Sequence, residues 1–220
     1  MLIYGLEVRL GGRTILTVDE VEVIDGINVV LGPNGSGKTT LLRAIIGAVK
    51  PSKGKVERID GFSYAPAEVF PASMPVREVL YSGKKRADYV KYAELLGISH
   101  LLDRDFSTLS SGERKLVLFA KALAEGNLVI ADEPLSALDP KNTVKLIKVM
   151  ESLRGQKAFL ITSHDLDVVN IADKVVVMKE GKVIFQGSPS ELTAEVLEEA
   201  YEAKVVEVRH GTKRIFYFDV

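Results

Sequence analysis

"GPNGSGKTT", residues 32–40, is the stretch whose reading decides the fold. It fits the pattern G-x-x-x-x-G-K-[ST] through Gly32, Gly37, Lys38 and Thr39. Such a loop is entered from a buried strand and left through a helix, and both flanks agree. Asn28-Val29-Val30-Leu31 precedes it as an apolar strand. Leu41, Leu42, Ile45, Ile46 and Val49 follow at helical spacing, up to a stop at Lys50-Pro51. The residue types supply the chemistry. Glycines let successive backbone N–H groups turn inward around phosphate oxygens, and the helix N-terminus adds a partial positive charge. Gly32, Pro33, Asn34, Gly35, Ser36, Gly37, Lys38, Thr39 and Thr40 are therefore the candidate phosphate cradle. Lys38 reaches towards the β/γ-phosphates, and the Thr39 hydroxyl suits Mg²⁺.

Outward from the loop, three more apolar runs recur: "LVIA" (128–131), "AFLIT" (158–162) and "KVVVM" (174–178). Each is apolar on both faces, as in parallel strands covered by helices. Between the first two, Val144, Ile147 and Met150 stand at helical spacing. The alternation predicts an α/β fold, a P-loop NTPase core with a parallel sheet flanked by helices. Residues 1–31 read as short strands with turns at Gly11-Gly12 and Asp25-Gly26, an N-terminal antiparallel β subdomain. Residues 68–111, with Pro71 and Pro75, break the rhythm and read as short helices. The expected organisation is a core over 1–67 and 112–220 with a helical subdomain over 68–111. The end, "KVVEVRHGTKRIFYFDV", reads as a hairpin around His210-Gly211-Thr212.

Composition narrows the function classes. A chain of 220 residues has room for one sizeable α/β domain. Lys plus Arg number 29 and Asp plus Glu 30, a net charge of -1, which argues against bulk electrostatic binding to nucleic acid. With no cysteine, disulfides and thiolate catalysis are excluded. His100, His164 and His210 lack metal-ligand spacing. The N-terminus lacks the pattern of a signal peptide, and no apolar stretch approaches the roughly 18 residues of a membrane span. Any work at a membrane would need another chain to do the spanning.

Two further stretches carry chemistry. "LVIADEP" (128–134) delivers Asp132 and Glu133 to the carboxyl end of a strand, where open α/β sheets bind ligands. Asp132 suits a Mg²⁺ shell, and Glu133 can orient and deprotonate an attacking water. An isolated pair of acids would read as a solvated strand end; a phosphate loop in the same chain changes that. "LSSGE" (109–113) contains Ser110-x-x-Glu113, a capping box. A helix N-terminus with small residues is also an anion site, and the two readings are compatible.

With the loop, the acidic strand end and "LSSGE" in one chain, the sequence resembles the ATP-binding subunit of an ABC transporter, a single ABC domain over essentially its whole length. "LSSGE" resembles the family's L-S-G-G-Q signature, "SALD" (136–139) its D-loop, and "ITSHD" (161–165) the segment bearing its switch histidine. The resemblance implies ATP and Mg²⁺ as ligands. It implies a homodimer, or a pseudo-symmetric dimer with a second ATP-binding subunit. There Ser110 and Gly112 of one subunit would contact the γ-phosphate held by Gly35, Lys38 and Thr39 of the other. Asp132 would support Mg²⁺, Glu133 would be the general base, and His164 would hold the γ-phosphate and the attacking water. Asp139 would lie at the dimer seam, although Asp139-Pro140 also suits a helix start. The implied partners are integral membrane transporter subunits, not nucleic acid, and the implied place is cytoplasmic, peripheral on the inner face of the cell membrane.

Some positions depart from the family's pattern. Leu10 stands where an aromatic residue usually stacks on adenine, with Tyr4 nearby in sequence. After Tyr64-Ala65-Pro66, Ala67 stands at the usual Gln position, followed by Glu68. Ser111 and Glu113 replace the usual Gly and Gln of the signature. Lys38, Thr39, Asp132, Glu133 and His164 are all present, so an active ATPase is expected. The tail "SPSELTAEVLEEAYEAKVVEVRHGTKRIFYF" resembles that of metal-chelate importers; a helix and hairpin that complete the fold would read alike. The alternative to a transport role is a soluble ABC-type ATPase, in metal-cluster assembly or as a regulatory module.

Overall fold

The computed structural model describes residues 1–57, 61–68, 73–84, 87–211 and 213–219. Pro71 and Thr212 lie outside the described residues. In chain order the elements are β1 (Leu2–Leu10), β2 (Arg13–Glu22), β3 (Ile27–Leu31), α1 (Lys38–Ile45), β4 (Lys53–Val56) and β5 (Phe62–Ala65). Then come α2 (Val76–Tyr81), α3 (Tyr89–Leu95), α4 (Ser111–Glu125), β6 (Leu128–Ala131), α5 (Pro140–Ser152) and β7 (Ala158–Ser163). Last are β8 (Lys174–Lys179), β9 (Lys182–Gly187), α6 (Ala194–Tyr201), β10 (Val205–His210) and β11 (Lys213–Phe218). The chain divides into two compact units, Met1–Ile59 with Thr162–Val220, and Asp60–Ile161.

In the first unit the strand order is β4-β1-β2-β9-β8-β3. β1 and β2 form an antiparallel hairpin that turns at Gly11 and Gly12, both at positive φ. Each is far longer than the short strands expected. β3 and β8 pair in parallel from Asn28↔Lys174 to Leu31↔Val177, and every residue of β3 is buried. β9 is the link the sequence reading missed. It runs antiparallel to β8 and parallel to β2, meeting it at Thr17↔Lys182. Its side chains are mostly half-buried, so it shows neither a continuous apolar run nor a clean alternation. β10 and β11 form the expected C-terminal hairpin, in register from Val205↔Phe218 to His210↔Lys213.

Helix α1 stops at Ile45, short of the expected Val49. Gly47 at φ 76° turns the chain left-handed there, the usual way a glycine ends a helix. The apolar residues continue the spacing, but the backbone does not follow.

In the second unit β5, β6 and β7 are parallel, with Ala65↔Ala131 and Ala131↔Ile161 aligning their carboxyl ends. β6 is buried throughout. Helix α4 packs by Leu116, Val117, Phe119, Ala120 and Leu123. The Phe119 ring lies parallel to that of Phe159 on β7, 6.4 Å away. On α5 the buried stripe is Leu146, Val149 and Met150, whereas Val144 is 51% exposed. Spacings of three and four residues fit more than one face of a helix, and the packed face is the one through Leu146. The described part of 68–111 holds α2, α3 and two single 3-10 turns, Ser99–Leu101 and Phe106–Thr108.

Candidate phosphate-binding and hydrolytic site

The first unit carries the phosphate loop. β3 delivers Gly32 at φ 152°, where a Cβ would lie 2.4 Å from the carbonyl oxygen of Met178 and 2.6 Å from Ser36 Oγ. Only glycine fits. Gly37 at φ 104° passes against Gly181, whose Cα would be 3.2 Å from an added Cβ. Within this turn Lys38 is 5% exposed. Its ammonium donates to the carbonyls of Gly32 at 2.6 Å and Pro33 at 3.0 Å, so the positive charge is held inside the loop. Ser36 is buried, and its hydroxyl is the single buried side-chain polar atom without a hydrogen-bond partner among the described residues. Gly37 caps α1 with no side-chain hydrogen bond, and no acid stands in the first turn. The uncapped helix start, the ammonium held within the turn and the orphaned hydroxyl are together groups that a bound anion would satisfy. Thr39 and Thr40 are half-buried in the first turn of α1.

His164 follows β7. The hydroxyl of the preceding Ser163 accepts from the Asp165 N–H at 3.0 Å and fixes the bend. The imidazole is 41% exposed, with Nε2 3.7 Å from Asp165 Oδ1. Tyr201 at the end of α6 ties this bend to the phosphate loop: its hydroxyl donates to His164 O at 3.0 Å and accepts from Gly32 N–H at 3.2 Å. Sequence reasoning gave Tyr201 no role, since the bond to Gly32 spans 169 residues. Leu10 ends β1 opposite Arg13 and is 56% exposed. Tyr4 pairs with Glu20 and Lys55 instead, six residues back along β1. At about 3.3 Å per residue that is roughly 20 Å away, so Tyr4 is no substitute for Leu10.

The second unit carries the acidic strand end and "LSSGE". Asp132 leaves β6 2% exposed, its N–H donating to Ala65 O at 2.9 Å. Glu133 sits at φ 48°, an unusual conformation for a residue with a side chain. Its carbonyl is gripped by the ammonium of Lys115 at 2.9 Å and the hydroxyl of Ser136 at 3.0 Å. Lys115 also donates to Ser136 Oγ. Burial lowers the Lys115 pKa, and the carboxylates of Glu133 and Asp132 oppose that shift. Ala137 is a second strained residue, at φ 61°. Its carbonyl would lie 3.0 Å from a Cβ on Gly112. Gly112 and Lys115, three apart on α4, thus back one loop through adjacent positions of the helix. Strain held by surrounding groups is typical of working loops. Lys115 has no role in the sequence analysis, although its helical spacing to Gly112 marks it, and Ser136 enters there only as the first residue of "SALD".

Ser110 caps α4 as the sequence suggests. Its hydroxyl accepts from Glu113 N–H at 3.2 Å, and Glu113 Oε2 accepts from Ser110 N–H at 2.8 Å. The Ser110 N–H holds the Glu113 carboxyl below its ordinary pKa, against the opposing effect of burial. Ser110 and Ser111 are exposed, so this helix start is open to solvent. Asp139 caps α5, accepting from Asn142 N–H at 2.9 Å with Pro140 behind it. Ala67 leaves β5 half-buried with no side-chain oxygen, and Glu68 is exposed. Among the described residues no helix is long and apolar enough to cross a membrane.

The sequence pattern of the family described as ABC transporter matches residues 22–136. The chain is 34% identical to the zinc import ATP-binding protein ZnuC of Roseobacter denitrificans, over 84% of this chain and 77% of that one. It is 29% identical to the hemin import ATP-binding protein HmuV of Photobacterium damselae, over 94% and 90%. Among solved structures, an inward-facing conformation of a metal-chelate type ABC transporter superposes with a TM-score of 0.84 at 25% identity. That likeness covers 99% of this chain and 96% of the other.

Proposed function

The chain belongs to the ABC transporter family, and on that premise we propose how its residues bind and hydrolyse ATP. Gly32, Pro33, Asn34, Gly35, Ser36, Gly37, Lys38, Thr39 and Thr40 hold the phosphates. Thr39 and Asp132 hold Mg²⁺, and their oxygen-only donor set suits that hard cation. When bound, Mg²⁺ neutralises charge on the β- and γ-phosphates. Glu133 takes the proton of the attacking water as the water's oxygen bonds to the γ-phosphorus and the bond to ADP breaks. His164 holds the γ-phosphate and that water. Leu10 covers the adenine by apolar contact alone. The observation that carries this reading is the interior of the phosphate loop, where the Lys38 ammonium and the partnerless Ser36 hydroxyl are buried around glycines that admit no side chain.

We further propose an ATP-sandwich homodimer, or a pseudo-symmetric dimer with a second ATP-binding subunit. Ser110 and Gly112 of one subunit meet the γ-phosphate held by the other, and Asp139 lies at the seam. Residues 68–111 form the helical subdomain that meets separate membrane subunits, and the protein works from the cytoplasmic face. The cargo class is a metal ion or metal chelate. Support comes from the import relatives and from a likeness to a metal-chelate transporter that takes in the C-terminal tail.

The test uses Glu133→Gln. Phosphate release is expected to fall by about 1,000-fold, within the range of a lost general base, while Mg-ATP still binds. Light scattering is expected to show a monomer that becomes a dimer only with Mg-ATP. Wild-type turnover would overturn the base assignment. A bound nucleotide without a mass change would overturn the sandwich for the isolated subunit.

A further inference from the structure

Tyr201 Oη joins the C-terminal tail to the phosphate loop. Tyr201 Oη has one proton to donate and lone pairs to accept with; it gives the proton to His164 O and accepts from Gly32 N–H. Gly32 follows the last β3–β8 pair, Leu31↔Val177, at the point where the chain leaves the sheet. The phenol is itself well fixed. Its ring leans on Phe218 of β11, with centroids 5.2 Å apart. The next residue, Glu202, pairs with Lys179 of β8 at 2.8 Å. The hairpin behind it is anchored in turn. Asn170 exchanges two hydrogen bonds with the backbone of Arg214, at 2.8 and 3.0 Å. The Arg214 guanidinium forks onto Glu207 at 2.8 Å twice and reaches Leu192 O at 2.6 Å. Arg214 holds the Glu207 carboxyl down to about 2.

We propose that Tyr201 is a positioning residue: its hydroxyl holds the first residue of the phosphate loop and the backbone of His164 in one register. The helix and hairpin are then working parts of the ATPase, and a displacement of the tail moves both segments together. The inference rests on the reading of His164 and the phosphate loop given above.

Tyr201→Phe keeps the ring on Phe218 and removes only the hydroxyl. Two measurements on the full chain test the idea. The first is amide exchange of Gly32 by NMR. It is expected to quicken by about tenfold, the signature of one lost hydrogen bond, while the Leu197 and Phe216 amides stay as they are. The second is steady-state ATP hydrolysis by the wild type, each single variant and the double variant with His164→Ala. Tyr201→Phe is expected to lower kcat by about tenfold with KM within about twofold. In the His164→Ala background it should cost clearly less, because the part of its effect that acts through the imidazole is already lost, while the hold on Gly32 remains.

An equal loss in the His164→Ala background would overturn the positioning role, as would a wild-type kcat with only a lower Tm. Wild-type turnover by His164→Ala would instead remove the reading of His164. The Gly32 amide then decides alone: unchanged exchange in Tyr201→Phe overturns the clamp in either case.

Discussion

Two helices of this chain, α1 and α4, begin in opposite ways. α1 opens on Gly37, with no side-chain cap and no acid in its first turn. α4 opens on Ser110 with a complete capping box, closed by its own Glu113. A helix start leaves four N–H groups without intrahelical partners. α4 satisfies some of them from its own sequence, and its 15 residues need no ligand to begin. α1, with 8 residues, has no such cap of its own. Under the proposed function the two ends would have unequal roles. The α1 end would carry the affinity for nucleotide, and the α4 end would contribute a contact that can be made and released each cycle.

The sharpest way to break this contrast is Lys38→Ala. It removes the buried charge of the α1 end and leaves α4 untouched. Charge-assisted hydrogen bonds contribute roughly 1.5 to 3 kcal/mol each, so Mg-ATP affinity is expected to fall by about 100-fold. Titration calorimetry on the isolated subunit reads this directly. Affinity within about twofold of the wild type, less than 0.5 kcal/mol, would mean that the loop's backbone, not its lysine, holds the phosphates.

The contrast was partly legible in the sequence. The glycines and Lys38 announce α1 because their geometry is local, set by backbone angles at consecutive residues. Ser110-x-x-Glu113 announces the cap of α4 for the same reason. β3, β6, β7 and β8 were visible as apolar runs because both faces of each are covered. β9 was not, since a half-buried strand at the meeting of antiparallel and parallel pairings has no single period. The end of α1 is not legible in the apolar spacing, which continues through Val49, while Gly47 alone carries the stop. Long-range contacts left no mark at all. Nothing near Tyr201 in sequence points to Gly32, and only the folded chain brings the phenol to both the loop and His164.

A smaller effect sharpens the comparison from the α4 side. Ser110→Ala removes the cap and is expected to destabilise the protein by about 1 kcal/mol, read by urea unfolding. Ser110→Asp keeps the cap, because aspartate is as good an N-cap residue as serine, and stability should stay within about 0.5 kcal/mol. The carboxylate, however, would stand where the partner subunit's γ-phosphate arrives. In the Glu133→Gln background, ATP-driven dimerisation is therefore expected to be lost with Ser110→Asp and only weakened with Ser110→Ala. Equal dimerisation in both would reduce the start of α4 to a cap and nothing more.

The finest difference between the two helix ends is their response to pH. Glu113 is held below its ordinary value of 4.5, chiefly by the Ser110 N–H. Its side chain is 28% exposed, so the charge is only partly screened. A carboxylate whose pKa is depressed on folding adds stability that is complete above its unfolded value and lost as pH falls through its folded one. Glutamine can accept the same hydrogen bond but brings no charge to the helix end. Glu113→Gln is therefore expected to cost about 0.5 kcal/mol at pH 7, the size of a helix-end charge effect. The gap to the wild type should narrow steadily as pH is lowered below 4.5. α1 has no carboxylate in its first turn, so no such term belongs to it. Urea midpoints for both proteins at pH 7 and at successive lower pH values provide the reading. A gap that stays constant through that window would show that the hydrogen bond of Glu113, not its charge, secures the start of α4.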